Sequence, residues 1–214
     1  KSLDPLKSKP YLLEGFVLLR QGDTGNAEQA FRSALSLDPQ SHRVLLSLGE
    51  ILIDQQRYDE ALAQLRKALR YNPQLTTSRL LIARIWSQQG KIDEAIKEIR
   101  TVLEIDPKQT KAYLQLARLY EARGNREGAV EILDLALTKL PKENPSIFLR
   151  IGRFAIDIKC FEVAEKICSE IVALNPKRTV ARIFLVEALI GAGKLEEAEY
   201  QIKNLSLKKS VQKF

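Results

Sequence analysis

The sequence predicts an all-α protein built of six successive helix pairs, on three observations. Pro recurs at positions 39, 73, 107, 141 and 176, at spacings of 34, 34, 34 and 35 residues. An Ala recurs at the same period in all six units, as Ala27, Ala61, Ala95, Ala129, Ala164 and Ala198. Between these markers the apolar residues follow the i, i+3, i+4, i+7 spacing of a helix. A fixed period of this size marks a repeat architecture, in which one supersecondary unit cannot bury its apolar face alone.

The units are read in order. The first, 8–41, places small Gly15 on its first helix, a breaker at Gly22, and Ala27 with Phe31 on its second. It ends at Asp38-Pro39, and an Asx-Pro step is a turn signal because the residue before Pro is disfavoured in the helical region. The second, 42–75, repeats this with Gly49, Ala61, Leu65 and Asn72-Pro73. The third, 76–109, has Ala83, Gly90, Ala95, Ile99 and Asp106-Pro107. In the fourth, 110–144, Tyr113, Leu116, Ala117 and Tyr120 show the helical spacing, Arg123-Gly124-Asn125 break it, and Ala129, Ile132, Leu133 and Ala136 resume it. It ends at Leu140-Pro141, without the Asx residue. The fifth, 145–178, holds Gly152, Ala164, Cys168 and Asn175-Pro176, and the sixth, 179–205, holds Val186, Gly193, Ala198 and Ile202. Small residues at fixed places let two helices approach, and the larger ones fill the space between them. An N-terminal arm, 1–7, and a basic tail or short cap, 206–214, flank the array.

Composition narrows the function classes. Apolar residues at 45% and charged residues at 29% fit a folded globular chain. No apolar run reaches the roughly 18 residues of a membrane span. The net charge of +7 sits mainly at the two ends: Lys203 to Phe214 carry four Lys and no acid, and the first nine residues carry three Lys and one Asp. The middle is close to neutral and lacks a basic stripe with exposed aromatics, so nucleic acid is not an expected partner. Trp86 falls in a first-helix core column and is expected to be buried. One His, no Gly-rich phosphate loop and no His-Glu metal motif leave no catalytic constellation, and no cofactor or metal is implied. His42 is expected to be solvated. The acidic pairs Asp59-Glu60, Asp93-Glu94 and Glu196-Glu197 open second helices, where they suit the helix dipole. Cys160 and Cys168 are too far apart along the chain to pair. Two free thiols suggest a cytoplasmic location, with a periplasmic or membrane-anchored one as the alternative. Cys168 is expected in the core and Cys160, at a turn, is expected to be the more reactive.

The 34-residue period, the helix–turn–helix units and the terminal Pro resemble the tetratricopeptide repeat (TPR) family over residues 8–205. The resemblance implies a right-handed α-solenoid, or superhelix, with the first helix of each pair lining a concave surface. It implies a non-enzymatic scaffold or adaptor that holds a peptide or helix of a partner protein in that groove. One TPR subclass clamps chaperone tails with Lys and Asn at fixed places; Leu12, Phe16 and Ser47 stand there, so that activity is not expected. The expected groove contains an apolar column, Leu80, Leu114 and Leu149, beside an Arg ladder, Arg84, Arg118 and Arg153. Arg43, Lys111 and Arg150 lie on or beside the same face. These cations predict a partner with acidic and apolar residues, held by charge-assisted contacts, unless Glu121 and Asp157 neutralise them from within. Self-association through the array ends is a further expectation. The alternative function is a soluble assembly factor of a membrane or envelope complex, anchored by a segment missing from this chain.

Overall fold

The computed structural model describes residues 5–140 and 144–211, with side chains described over 6–140 and 144–203. Pro141, the side chains of Leu205, Leu207 and Val211, and Phe214 therefore lie outside the described residues. Among those described there are twelve helices and no strand. The chain divides into two compact units, Lys1–Asp106 and Pro107–Phe214.

The first unit holds α1 (Pro5–Arg20), α2 (Thr24–Leu37), α3 (His42–Asp54), α4 (Tyr58–Tyr71), α5 (Thr76–Gln88) and α6 (Ile92–Ile105). The second holds α7 (Thr110–Ala122), α8 (Arg126–Lys139), α9 (Pro145–Asp157), α10 (Phe161–Leu174), α11 (Thr179–Gly191) and α12 (Leu195–Val211). Each odd-numbered helix forms a hairpin with the one after it. Two boundaries differ from the sequence reading: α1 starts at Pro5, inside the expected arm, and α12 runs on to Val211, through most of the expected tail.

The hairpin turns share one backbone device. The residue after the break donates its N–H to a carbonyl five residues back: Asp23 to Leu18, Arg57 to Leu52, Lys91 to Trp86, Asn125 to Tyr120, Cys160 to Ala155 and Lys194 to Leu189, at 2.7–2.9 Å. This is the Schellman closure, which satisfies the orphan carbonyls of a helix end and needs a left-handed residue before the donor. Gly22, Gly90, Gly124 and Gly193 supply it with φ of 74–81°. Gln56 and Lys159 supply it in the other two hairpins at φ 60°, which their side chains disfavour. The Asx-Pro steps form the opposite turn. Asp38, Asn72 and Asn175 each accept the N–H two residues on, from Gln40, Gln74 and Lys177, at 3.1–3.3 Å.

The core follows the repeating columns. Phe31, Leu65, Ile99, Leu133 and Cys168 are all fully buried, as are the six recurring Ala. In the first unit Val44 and Ile51 of α3 pack over Ala27, Phe31 and Ala34 of α2, so the α1–α2 hairpin is closed by the first helix of the next. The α3–α4 hairpin is closed in the same way by Leu81, Ile82 and Ile85 of α5. The small column permits this approach: a Cβ at Gly15 would lie 2.5 Å from the Phe31 ring.

Candidate functional site

The first unit presents Arg43, Leu80 and Arg84 from α3 and α5. The Arg43 guanidinium lies 4.5 Å from the Phe16 ring centroid, a cation–π contact. Arg84 Nη2 donates to Asp54 Oδ1 at 2.9 Å, with both side chains largely in solvent. Asp54 lies one helical turn beyond Glu50, which shares the Arg84 column. Leu80 is buried, so it serves the packing between helices and offers little surface to a ligand.

The second unit presents the other two members of the ladder. Arg153 is held on two sides, by Asp157 at 3.1 Å and by Glu187 of α11 at 2.7 Å, and it lies over the Phe184 ring at 5.6 Å. Arg118 differs. Its guanidinium stands 5.2 Å above the ring centroid of Phe154, and among the described residues it has no carboxylate partner. Lys111 and Arg150 are exposed near it in the sequence pattern, one helix face on α7 carrying Lys111 and Arg118, and one on α9 carrying Arg150 and Phe154. Leu149 is buried and Leu114 half-buried, so the apolar column belongs mostly to the core here as well.

The ladder is thus chemically uneven: Arg84 and Arg153 are neutralised within the protein, and Arg118 meets only an aromatic ring. Asp157 pairs as the spacing allows, and Glu121 does not pair with Arg118. The aromatic platforms Phe154 and Phe184 and the acids Asp54 and Glu187 were missed. Glu187 was legible, because it occupies the same repeat column as Arg153 in the following hairpin.

The second unit also contains a cavity of about 480 Å³ between α8, α9 and α10. Leu137, Phe148, Ile167, Ile171 and Leu174 line it, and the Lys166–Asp134 ion pair, 2.8 Å long, crosses its rim.

The two thiols correct an expectation. Cys168 is in the core, and burial pushes its pKa up to about 12. Cys160 is buried as well, its Sγ directed at the Ile158 carbonyl, and burial raises its pKa too. Its place at a turn does not expose it, because the Schellman closure folds residue 160 back against α9. Trp86 is half-buried, with the Lys91 ammonium 4.7 Å from its ring. His42 is exposed at the start of α3. Among the described residues there is no cluster of metal-ligating side chains, and no helix is long and apolar enough to cross a membrane.

The tetratricopeptide repeat profile matches residues 18–85, 52–110 and 87–148, and a second profile of the same description matches 179–199. No curated protein matches the chain in sequence. Solved structures do. A tetratricopeptide repeat protein from Parabacteroides merdae ATCC 43184 aligns with a TM-score of 0.61 and 19% identity, over 94% of this chain and 79% of that one. TTC0263, a thermophilic TPR protein of Thermus thermophilus, gives 0.58 and 18%, over 86% and 99%. The first TPR of Spaghetti (RPAP3), bound to the HSP90 peptide SRMEEVD, gives 0.54 and 19%, over 57% and 97%. At these identities the likeness is one of fold, that of the TPR α-solenoids. With the profile spanning most of the sequence and helix hairpins repeating through both units, the chain belongs to the tetratricopeptide repeat family.

Proposed function

We propose that this chain is a non-enzymatic adaptor whose first-helix face in the second unit binds an acidic and apolar peptide or helix of a partner protein. The TPR fold is generally a protein-interaction scaffold. The observation that carries the finer reading is Arg118. It is exposed, has no carboxylate partner among the described residues, and lies over the Phe154 ring at 5.2 Å. A guanidinium that meets a ring through cation–π attraction spends none of its N–H groups on a carboxylate, which leaves them for bidentate capture of one. Lys111 and Arg150 add charge of the same sign. Arg153, already bonded to Asp157 and Glu187, would have to give up one of them to take a ligand, so it contributes less.

The test is a peptide-display selection on the intact chain, followed by affinity measurement of the selected sequences on parent and on Lys111→Glu/Arg118→Glu/Arg150→Glu. Among the described residues these three make no ion pair, so their reversal leaves the fold intact, as circular dichroism would verify. Acid-rich peptides that lose at least about tenfold in affinity on the variant support the reading; tenfold corresponds to about 1.4 kcal/mol. Selection of peptides without acidic residues, or equal binding by the variant, would overturn it.

A further inference from the structure

The cavity of about 480 Å³ between α8, α9 and α10 shares no lining residue with the Arg118 face. One pair of repeat positions accounts for its apolar wall. On α5–α6 that pair is polar: Arg79 Nη1 donates to Glu98 Oε2 at 3.1 Å, and Arg79 Nη2 donates to the Pro73 carbonyl at 3.4 Å. On α11–α12 it is polar again. Arg182 Nη1 donates to Gln201 Oε1 at 2.9 Å, and Arg182 Nη2 donates to the Pro176 carbonyl at 3.1 Å. The same two positions on α9–α10 are Phe148 and Ile167, and both line the cavity. Where two other hairpins place a bonded guanidinium, this one places a ring. Leu137 of α8 and Ile171 of α10 extend the wall, and Leu174, 85% exposed, continues it into solvent.

We infer that this cavity binds a small amphiphile, an apolar chain or ring that carries one carboxylate. The charged groups along it select the head group. Lys166 Nζ bonds Asp134 Oδ1 at 2.8 Å, and Asp134 first, then Glu170, raise the pKa of that ammonium. These three side chains hold one cation among two acids. Arg178, beyond the C-terminal end of α10, is different. It is half-buried, donates Nη2 to Ser146 Oγ at 3.2 Å, and has no carboxylate partner among the described residues. A guanidinium removed from bulk water with N–H groups to spare favours a carboxylate, which it can hold by two parallel bonds. The acids Asp134 and Glu170 repel the same group and so orient the ligand, with its head at Arg178 and its apolar part along Ile167 and Ile171.

Size and wall chemistry favour a small molecule over a peptide. The volume lies within the roughly 300–1,000 Å³ of small-ligand sites, which are mostly apolar with a few placed polar groups and occur between packed helices. Leu137, Phe148, Ile167 and Ile171 offer a peptide backbone no hydrogen-bond partner, so a chain laid against them would bury unpaired N–H and C=O groups. An alkyl or aryl body has none to bury. The span from Lys166 to Leu174 is two turns of α10, about 12 Å, which suits a chain of moderate length. The inference stands apart from the adaptor reading, because none of its residues belongs to the Lys111, Arg118 and Arg150 set.

The test is a titration of the full 214-residue chain with decanoate, decanol and decylamine, each below its micelle-forming concentration. Calorimetry gives the affinities, and NMR of labelled isoleucine and leucine methyl groups locates the site. Decanoate should bind saturably and one-to-one, shifting the methyls of Leu137, Ile167 and Ile171, and more tightly than either of the other two. Arg178→Gln should weaken decanoate at least about tenfold and leave decanol unchanged. Phe148→Arg/Ile167→Glu installs the pair that α5–α6 carries and should abolish binding of all three. If that variant fails to fold, Leu174→Glu, at an exposed position, should weaken decanoate instead. The inference is overturned by any of four results: no saturable binding, methyl shifts confined to other residues, decanol or decylamine binding as tightly as decanoate, or Arg178→Gln binding decanoate like the parent.

Discussion

Gly15 and Phe31 offer a quantitative check on how the hairpins are packed. An alanine at position 15 would place its Cβ 2.5 Å, 2.7 Å and 2.8 Å from three atoms of the Phe31 ring. That ring cannot simply swing away. It is fully buried, and it holds an edge-to-face contact with Phe16, with centroids 5.3 Å apart and an interplanar angle of 71°. Two effects therefore oppose each other in Gly15→Ala. The helix gains about 1 kcal/mol from replacing glycine in its interior. Overpacking costs about 1–3 kcal/mol, and disturbing the aromatic pair adds to it. The net expectation is a destabilisation of about 1 kcal/mol, against a naive forecast of stabilisation. Phe31→Leu removes the ring that the new Cβ would meet, and Ala83 with Ile99 and Ala117 with Leu133 show that an alanine is accommodated opposite an aliphatic residue. In the Phe31→Leu background Gly15→Ala should therefore be neutral or stabilising, a coupling of about 2 kcal/mol. Urea unfolding followed by Trp86 fluorescence, a single probe within the same unit, gives the four midpoints. Stabilisation by Gly15→Ala alone, or additivity of the two changes within about 0.5 kcal/mol, would refute the reasoning.

Two further outcomes are expected. Gln56→Gly and Lys159→Gly each relieve a left-handed backbone at φ 60° and should each raise stability by up to about 1 kcal/mol, read as a shift in the urea midpoint; a loss of stability would show that the side chains contribute more than the strain costs. Native protein should show no fast-reacting thiol at neutral pH, since both cysteines are buried, and their reaction with a disulfide reagent should follow unfolding. Because burial raises both thiol pKa values above the ordinary 9.0, their contribution to stability is full below that pH and is lost as the pH rises through the raised values, about 12 for Cys168. An immediate, stoichiometric thiol reaction in native protein would contradict the buried placement.

The fold was legible because one period organises everything: columns of Ala and larger apolar residues identify the faces, and Gly and Asx-Pro locate the turns. The turn position could be followed even through Gln56 and Lys159, since the flanking columns hold their register. What escaped was set by tertiary geometry. Whether Arg118 or Arg153 meets a carboxylate depends on side-chain reach between neighbouring helices, and a periodic pattern places the columns without ranking the partners within them. Asp54 and Glu187 lie 30 and 34 residues from the arginines they bind, yet Glu121, only three residues from Arg118, binds none of the three. Cys160 escaped for a related reason. Its turn reverses by main-chain bonds that fold the side chain inward, and nothing in the residue types around it distinguishes that from an exposed turn.

Within each unit, the covering of a hairpin by the first helix of the next also has a consequence in time. Phe31 is buried by Val44 and Ile51, the farther of which lies 20 residues downstream. At translation rates of about 5–20 residues per second, that interval is synthesised in roughly 1–4 s. Within a unit, a nascent chain therefore leaves only one hairpin's apolar face open at any moment, and each new first helix closes its predecessor as it emerges. Assembly on the ribosome can then proceed as a travelling front, with a small and constant sticky surface rather than one that grows with the length of the array.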